Sequence, residues 1–414
     1  MEFGLIAKKL GHSFSAEIHE LIDSYSYELL EIEEKDLESF FRKRDFRGIN
    51  VTIPYKQTVI PFLDELDATA ERIGAVNTIV NSGGKLVGYN TDFGGMSALV
   101  SRLKIDLSGR KVLILGTGGT SKTAAAVAGR LGAREAVKVS RSAGEGSVTY
   151  EDAARSHSDA QIIINATPCG MFPKLDECPI DISCFESLEG IIDAIFNPLR
   201  SELVMSALEK GIPAEGGLYM LVAQAVLAAE HFTGKKYGSG TVDRVFREVF
   251  RKRSNIVLTG MPGCGKSTLG KLIAGKTGRK FIDLDVEIEK HTGMKIPEIF
   301  AKYGEEHFRN AESEVTGIIS SETGAVIATG GGCVLRRKNV ERLKQNGRIV
   351  FIDTPPDLLV PTDGRPLADS INKMKALYEA RRGIYDSTAD QKVHRTGSAA
   401  ETAEIILTSL GEKS

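Results

Sequence analysis

Short apolar runs alternate with stretches of helical period along the first ninety residues. Residues 3–7, 27–32 and 49–53 read as strands, and 15 to about 25 and 36–44 read as helices. Such alternation predicts an α/β layer with a mainly parallel sheet, because parallel neighbours need a crossover element between them. Asn81-Ser82-Gly83-Gly84 marks a hairpin. A second series of apolar runs follows at 111–115, 136–140, 161–164 and 191–195, each leading into a turn or helix, up to about residue 215. An apolar helix at 218–231 comes next, then an amphipathic one from Thr241 with Val242, Val245, Phe246, Val249 and Phe250 on one face. From Asn255 the pattern begins anew: strand, glycine loop, helix to about 276, strand 280–283, two helices, strand 325–329, helix, strand 348–353, polar loop, helix 371–382, strand and final helix. No Gly/Ser/Pro-rich linker separates the halves near 252–255, so a close junction is expected.

Composition changes this picture little. With 414 residues, two or three domains are expected. The 53 basic and 55 acidic residues leave a formal charge of −2, which gives no sign of a nucleic-acid or membrane-surface partner. Cys169, Cys178, Cys184, Cys264 and Cys333 are odd in number and lack zinc-type spacing, which points to a reducing compartment without a structural metal. Nothing at Met1-Glu2-Phe3-Gly4 resembles a secretion signal, and the longest apolar stretch, broken by Gln224, falls well short of the ~20 residues of a membrane span. A cytoplasmic protein is expected.

The strongest chemical signal is Gly260-Met261-Pro262-Gly263-Cys264-Gly265-Lys266-Ser267-Thr268, a complete G-x-x-x-x-G-K-[ST] cradle directly after an apolar run. Glycines let the backbone curl so that N–H groups face phosphate oxygens, Lys266 reaches the β- and γ-phosphates, and Ser267 offers a hydroxyl to Mg²⁺. Nucleotide contacts are therefore expected from Gly260, Gly263, Cys264, Gly265, Lys266, Ser267 and Thr268. Upstream, Gly116-Thr117-Gly118-Gly119-Thr120-Ser121 lies between a strand and an alanine-rich helix, the context of a dinucleotide turn, although Ser121 stands at the third glycine position. About twenty residues on, where an NAD site places an acid, the chain has Ser140-Arg141-Ser142. A guanidinium there suits a 2′-phosphate, which favours NADP(H).

Five further segments, in order, carry a resemblance: Leu10-Gly11-His12-Ser13-Phe14-Ser15-x-x-x-His19, Asn50-Val51-Thr52-Ile53-Pro54-Tyr55-Lys56, Gly74-Ala75-Val76-Asn77-Thr78, Gly88-Tyr89-Asn90-Thr91-Asp92 and Gly217-Leu218-Tyr219-Met220-Leu221-Val222-Ala223-Gln224. Approximately residues 1–250 thus resemble shikimate dehydrogenase, which implies reduction of 3-dehydroshikimate to shikimate with NADPH. The resemblance makes Ser13, Ser15, Thr52, Asn77, Asp92 and Gln224 substrate-binding groups, Lys56 and Asp92 the catalytic pair, and Gly217 a cofactor neighbour. Lysine beside carboxylate suits hydride addition, since the ammonium stabilises the developing oxyanion and supplies a proton. Against the family pattern, Ala16 replaces a proline, Ser140-Arg141-Ser142 replaces Asn-Arg-Thr, and Phe196 replaces a substrate-contacting tyrosine, which removes one hydroxyl contact.

Downstream of the cradle, Phe281-Ile282-Asp283-Leu284-Asp285, Gly304-Glu305-Glu306-His307-Phe308-Arg309-x-x-Glu312, Thr329-Gly330-Gly331-Gly332, Gly364-Arg365-Pro366-Leu367 and Arg382-x-x-Tyr385 resemble shikimate kinase over approximately residues 255–414. By that resemblance Asp285 holds the acceptor hydroxyl, Asp283 supports Mg²⁺, Arg309 and Arg382 grip the substrate carboxylate, Gly331 and Gly332 bind ring hydroxyls, and Arg365 covers the transferring phosphoryl group of ATP. The lid between 353 and 370 is short, and Gly383 stands where proline is usual.

The combined expectation is an N-terminal α/β substrate domain at 1–92 completed by helices at about 216–252, a Rossmann-like NADP domain at 93–215, and a P-loop kinase domain with a parallel sheet at 255–414. Its two halves would catalyse consecutive reactions on small molecules, 3-dehydroshikimate to shikimate to shikimate 3-phosphate. Alternatives are an NAD-dependent quinate/shikimate dehydrogenase in the first half, and retention of one half as a non-catalytic regulatory module.

Overall fold

The computed structural model describes residues 1–11, 13–144, 146–359, 371–395 and 397–412, the side chains of 371 and 372 excepted. Residues 360–370 of the expected lid, Arg365 among them, lie outside the described residues. The chain divides into two units, Met1–Phe250 and Arg251–Ser414.

Two six-stranded sheets build the first unit. One runs in the order Tyr27–Glu31, Phe3–Ala7, Gly48–Val51, Thr78–Ser82, Lys85–Tyr89, Glu65–Leu66. Its first three strands are parallel, but Thr78–Ser82 is antiparallel to both its neighbours, so this sheet is mixed rather than mainly parallel. The cause is local. Gly83 and Gly84 take φ of 61° and 91°, and Asn81 Oδ1 accepts the Gly84 N–H at 2.9 Å, which closes a tight reversal. The strand over 49–53 stops early at Val51, where the Tyr55 N–H folds back onto Thr52 O at 2.9 Å.

The second sheet is wholly parallel, in the order Ala214–Glu215, Gly190–Asp193, Ile162–Asn165, Lys111–Leu115, Glu135–Ser140, Ser147–Thr149. Its central strands carry unbroken apolar runs, and Val112–Leu115 and Ile162–Ile164 are fully buried, as a parallel sheet covered on both faces requires. Helices Thr91–Leu103 and Leu218–Thr233 pack side by side. A Cβ on Gly95 would lie 2.6 Å from Met220 O, so only glycine permits that approach.

In the second unit a five-stranded parallel sheet runs Lys280–Asp283, Ala325–Ala328, Asn255–Thr259, Gly347–Asp353, Gln391–His394. Near the end of the described chain, Glu412 is fully buried and accepts hydrogen bonds from Arg251, Arg279 and Arg348. These bonds tie the last residues to the first of the unit. Among the described residues no helix is long and apolar enough to cross a membrane.

Candidate active sites

In the first unit the mixed sheet collects polar side chains along one edge. Thr52 follows strand Gly48–Val51, Asn77 precedes the antiparallel strand Thr78–Ser82, and Asp92 lies just past strand Lys85–Tyr89. Main-chain bonds lock the three segments together: Thr52 N–H to Ile6 O, Val51 N–H to Asn77 O, and Asn77 N–H to Tyr89 O. Lys56 emerges after the Thr52–Tyr55 turn. Its carbonyl accepts the Val76 N–H at 2.7 Å, and its Nζ donates to Asp92 Oδ2 at 2.6 Å. The two side chains are 16% and 9% exposed, so their charges face one another with little water between. Asp92 sits in the first turn of helix Thr91–Leu103, where Asn90 caps the Phe93 N–H and the helix dipole favours a carboxylate.

Asn77 and Gln224 come together although 147 residues separate them. Asn77 Nδ2 donates to Gln224 Oε1 at 3.3 Å and to Thr91 Oγ1 at 3.0 Å, while the Thr91 N–H binds Asn77 Oδ1 at 2.7 Å. Thr91 Oγ1 also donates to Gln224 Oε1 at 3.2 Å. Sequence reading passed over Thr91, whose signal was its place directly before Asp92. Ser13 and Ser15 are half-buried in the loop and helix after strand Phe3–Ala7, the Ser15 N–H bonding Ser13 Oγ at 3.2 Å. Between them Phe14 turns inward onto Phe196, with ring centroids 5.3 Å apart.

A cavity of about 1100 Å³ runs from Lys56 and Gln57 past Gly116, Thr117, Gly118, Gly119 and Thr120 to Ser140 and Arg141. Gly116 takes φ of 108°, and Ser121 Oγ donates to its carbonyl at 2.6 Å. That bond fills the role of the missing third glycine by closing the turn onto its helix. Tyr150, Thr167, Cys169 and Met171 also line the cavity, from loops whose sequence carries no motif. Ser142 and Gly217 stand outside it. Ser142 serves as main-chain acceptor for Ser140 Oγ, and Gly217 caps helix Leu218–Thr233 where a Cβ would collide with Ala194 O at 2.2 Å. The size, the open backbone at Gly118 and the exposed Arg141 fit a dinucleotide with a 2′-phosphate.

In the second unit Gly260, Gly263 and Gly265 take φ of 144°, 77° and 88°, the left-handed values that make the cradle possible. Lys266 is buried, and its Nζ donates to Gly260 O and Met261 O at 2.9 Å each. Cys264 is buried beneath the loop, and Arg395, which sequence reading did not single out, donates to Cys264 O at 2.9 Å. Ser267 Oγ donates to Asp283 Oδ2 at 2.6 Å, while Thr268 is exposed. Hydroxyl and carboxylate oxygens side by side are the hard donors that Mg²⁺ takes.

Asp285 and Glu312 converge on the glycine run. A Cβ on Gly330 would lie 2.9 Å from Asp285 Oδ1 and 2.8 Å from Glu312 Oε1. Glu312 is buried, which pushes its pKa up, and it binds Arg309 Nη1 at 2.7 Å. The Arg309 guanidinium lies directly against Gly332. Gly331 O accepts from Arg381 Nη1 at 3.1 Å and from the Tyr385 hydroxyl. The structure thus brings Arg381, rather than the expected Arg382, to the glycine run. The Arg382 side chain is 49% exposed, 3.9 Å from the Asp386 carboxylate, whereas Arg381 is only 8% exposed and faces the glycine run. On helix Ile371–Thr388, Arg381 and Tyr385 are four residues apart and share a face, which turns Arg382 outward.

Comparison with known proteins matches both halves. Residues 5–79 match the model of the shikimate dehydrogenase substrate binding domain, and residues 262–411 match that of shikimate kinase. A shikimate dehydrogenase (NADP(+)) of Clostridium perfringens (strain SM101 / Type A) is 32% identical over 265 residues, 60% of this chain and 97% of the relative; one of Clostridium beijerinckii is 35% identical over 248 residues, 56% and 91%. Among solved structures, a chorismate mutase/shikimate 5-dehydrogenase fusion protein from Clostridium acetobutylicum superposes with a TM-score of 0.57 at 32% identity, covering 60% of this chain and 96% of that one. A shikimate 5-dehydrogenase from Thermus thermophilus, in complex with NADP(H) and shikimate, gives a TM-score of 0.54 at 27% identity, covering 60% and 99%. The chain belongs to the shikimate dehydrogenase family and carries a shikimate kinase domain behind it.

Proposed function

We propose that this bifunctional shikimate-pathway enzyme reduces 3-dehydroshikimate to shikimate with NADPH in its first unit, and phosphorylates shikimate to shikimate 3-phosphate with ATP and Mg²⁺ in its second. The observation that carries the reading is the Lys56–Asp92 pair, at 2.6 Å, whose Lys56 lines the same cavity as the Gly116–Thr120 turn. Residues 1–92 with the helices at about 216–252 take the substrate role, 93–215 the cofactor role, and 255–414 the kinase role.

In the first reaction Gly116–Thr120 and Arg141 would hold NADPH, which would supply the hydride. Lys56 donates a proton to the ketone oxygen as charge develops there, and Asp92 aligns the ammonium and a substrate hydroxyl. Asn77 and Gln224, already joined through Thr91, orient the ring hydroxyls, and Ser13, Ser15 and Thr52 complete the polar wall. Phe196 offers an edge without a hydroxyl.

In the second reaction the P-loop with Lys266 would hold ATP, the phosphoryl donor, and Ser267 and Asp283 would hold a Mg²⁺ that would neutralise phosphate charge. Asp285 accepts the proton of the attacking hydroxyl, Arg309 and Arg381 grip the carboxylate, and main-chain groups of Gly331 and Gly332 position the ring. Arg365 is assigned to the lid by sequence alone.

The test supplies 3-dehydroshikimate, NADPH, ATP and Mg²⁺ to the full chain and follows shikimate 3-phosphate. Its formation at the expense of one NADPH and one ATP is expected; accumulation of shikimate alone would refute the kinase assignment. NADH used as readily as NADPH would refute the role of Arg141.

A further inference from the structure

Asp193 ends the strand Gly190–Asp193 in the interior of the first unit and has no exposed surface. Three donors converge on its carboxylate: Asn165 Nδ2 at 3.0 Å and the Ile195 N–H at 2.9 Å on Oδ1, and the Ser201 hydroxyl on Oδ2. Each donor belongs to a different stretch of chain. Asn165 is the last residue of strand Ile162–Asn165, and its own Oδ1 accepts both the N–H and the Oγ1 of Thr167, at 3.0 and 2.7 Å. Thr167 Oγ1 accepts the Cys169 N–H in turn, and a Cβ on Gly116 would lie 3.1 Å from the Thr167 methyl. On the other side, Ile195 O accepts the Gly217 N–H at 2.6 Å, at the start of the helix that carries Gln224. One buried carboxylate thus orients the amide that shapes the Thr167–Cys169 wall of the large cavity, and braces the helix behind it.

We propose that Asp193 is a positioning residue for the dinucleotide: its ionised carboxylate fixes the Asn165 amide, and through it the cavity wall that faces the Gly116 turn. The proposal rests on the reading of that cavity as the NADPH site. An asparagine at 193 would match the shape and avoid burying charge. It would, however, accept the Asn165 and Ile195 bonds on a neutral oxygen, weakening its hold on the Asn165 amide, and leave Ser201 to accept rather than donate. Burial raises the Asp193 pKa to about 6 against the three hydrogen bonds, from Ser201, Ile195 and Asn165, that favour the charged form. Among the described residues, the thiols of Cys169 and Cys178 both feel its charge, and Glu202, next to Ser201, acts on Cys178 as well. A folded-state pKa above the ordinary aspartate value of 3.8 means that stability falls as pH rises between about 4 and 6, so the charge is carried at a cost in stability.

The experiment measures KM for NADPH and kcat from pH 5 to 8.5 in the full-length wild type, Asp193→Asn and Ser201→Ala, with Arg141→Ala as a check on the cavity. Wild type should show KM rising about tenfold as pH falls through the region of 6, with kcat changed far less. Asp193→Asn should have the raised KM at every pH and no inflection there, together with a higher melting temperature at pH 8. Ser201→Ala removes a bond to the charged form, so its inflection should move to higher pH, which a merely structural role would not cause; it also carries the test if Asp193→Asn fails to fold. The phosphate of NADPH titrates near the same pH, at about 6. Wild-type and Asp193→Asn profiles that coincide would assign the inflection to the ligand and overturn the proposal. An unchanged KM in Arg141→Ala would overturn the cavity reading and the proposal with it, whereas a raised KM there with wild-type behaviour in Asp193→Asn would overturn the Asp193 role alone.

Discussion

In the first unit the ammonium of Lys56, the proposed proton donor, has a carboxylate partner at 2.6 Å; in the second, the ammonium of Lys266 is held by two main-chain carbonyls at 2.9 Å, those of Gly260 and Met261. The same contrast runs through the neighbouring groups. Asn77, Thr91 and Gln224 form a network of neutral side chains at or beside regular elements. In the kinase domain Arg381 and Arg395 donate instead to loop carbonyls, of Gly331 and Cys264. Reduction of a ketone needs one proton delivered to one atom, so a reactive pair must be tuned and its surroundings kept neutral. Phosphoryl transfer needs charge neutralised around many oxygens, and cations parked on glycine-loop carbonyls can exchange those partners for phosphate with little rearrangement.

Removal of the two ammonium groups is the sharpest way to break that contrast. Lys56→Ala should lower the dehydrogenase rate by roughly 10²–10⁴-fold and leave the kinase rate unchanged, while Lys266→Ala should do the reverse. Separate initial-rate assays on each variant decide it. If either substitution lowered both activities alike, the two sites could not be treated as independent devices.

Acid should separate the units next. His19 is buried, stacked on Tyr27 at 3.9 Å and bonded through Nδ1 to the Tyr25 hydroxyl at 2.6 Å. Burial pushes its pKa down to about 3, and Asn50 alongside offsets only part of that shift. For a base with a lowered folded-state pKa, the unfolded chain binds the proton first, so stability is lost as pH falls from about 6.5 towards 3. Asp193 acts with the opposite sign over an overlapping range, but its shift is smaller. Dehydrogenase activity should therefore decay faster than kinase activity on incubation at pH 5, by a net difference of roughly 0.6 kcal/mol at that pH once the Asp193 contribution is set against that of His19. His19→Phe, which retains the stacking and cannot titrate, should slow the decay; an unchanged decay would remove His19 from the explanation.

How far these sites were legible depends on whether their geometry is local. The P-loop is a single run between a strand and a helix, so its cradle could be read directly, and the parallel sheet around it followed from apolar periodicity. The pairing of Thr78–Ser82 was hidden, since a hairpin signal does not say which outer strand its arms will join. Arg381 and Arg382 were indistinguishable as letters. About 100° of helix rotation separates adjacent residues, and only the shared face with Tyr385 selects the first. Asp193 and Thr167 lie on a strand end and a loop without a motif, and their connection exists only once three chain segments meet.

The arginine pair gives the next test. Arg381→Ala should raise KM for shikimate in the kinase reaction by roughly 10–100-fold, in keeping with the loss of a hydrogen bond to a charged group. Arg382→Ala, at a half-exposed side chain 3.9 Å from Asp386, should change it less than about twofold. The reverse order would return the substrate role to Arg382.

Thr91 offers the smallest effect and the most direct probe of the neutral network. Valine keeps the shape of threonine but deletes the Oγ1 that accepts from Asn77 and donates to Gln224, leaving two buried amides with one partner fewer each. The main-chain N–H of residue 91, which binds Asn77 Oδ1, survives the change, as do the Asn77 Nδ2 bond to Gln224 Oε1 at 3.3 Å and the Gln224 Nε2 bond to Leu221 O at 2.9 Å. Loss of about 1 kcal/mol, or roughly fivefold in KM for shikimate, is therefore expected, with little change in kcat because Lys56 and Asp92 remain paired. Thr91→Ser restores the hydroxyl and should restore KM. A fall in kcat with KM unchanged would mean that Thr91 acts on Asp92 rather than on the amides, and the separation drawn between a neutral binding wall and a charged catalytic pair would have to be redrawn through that residue.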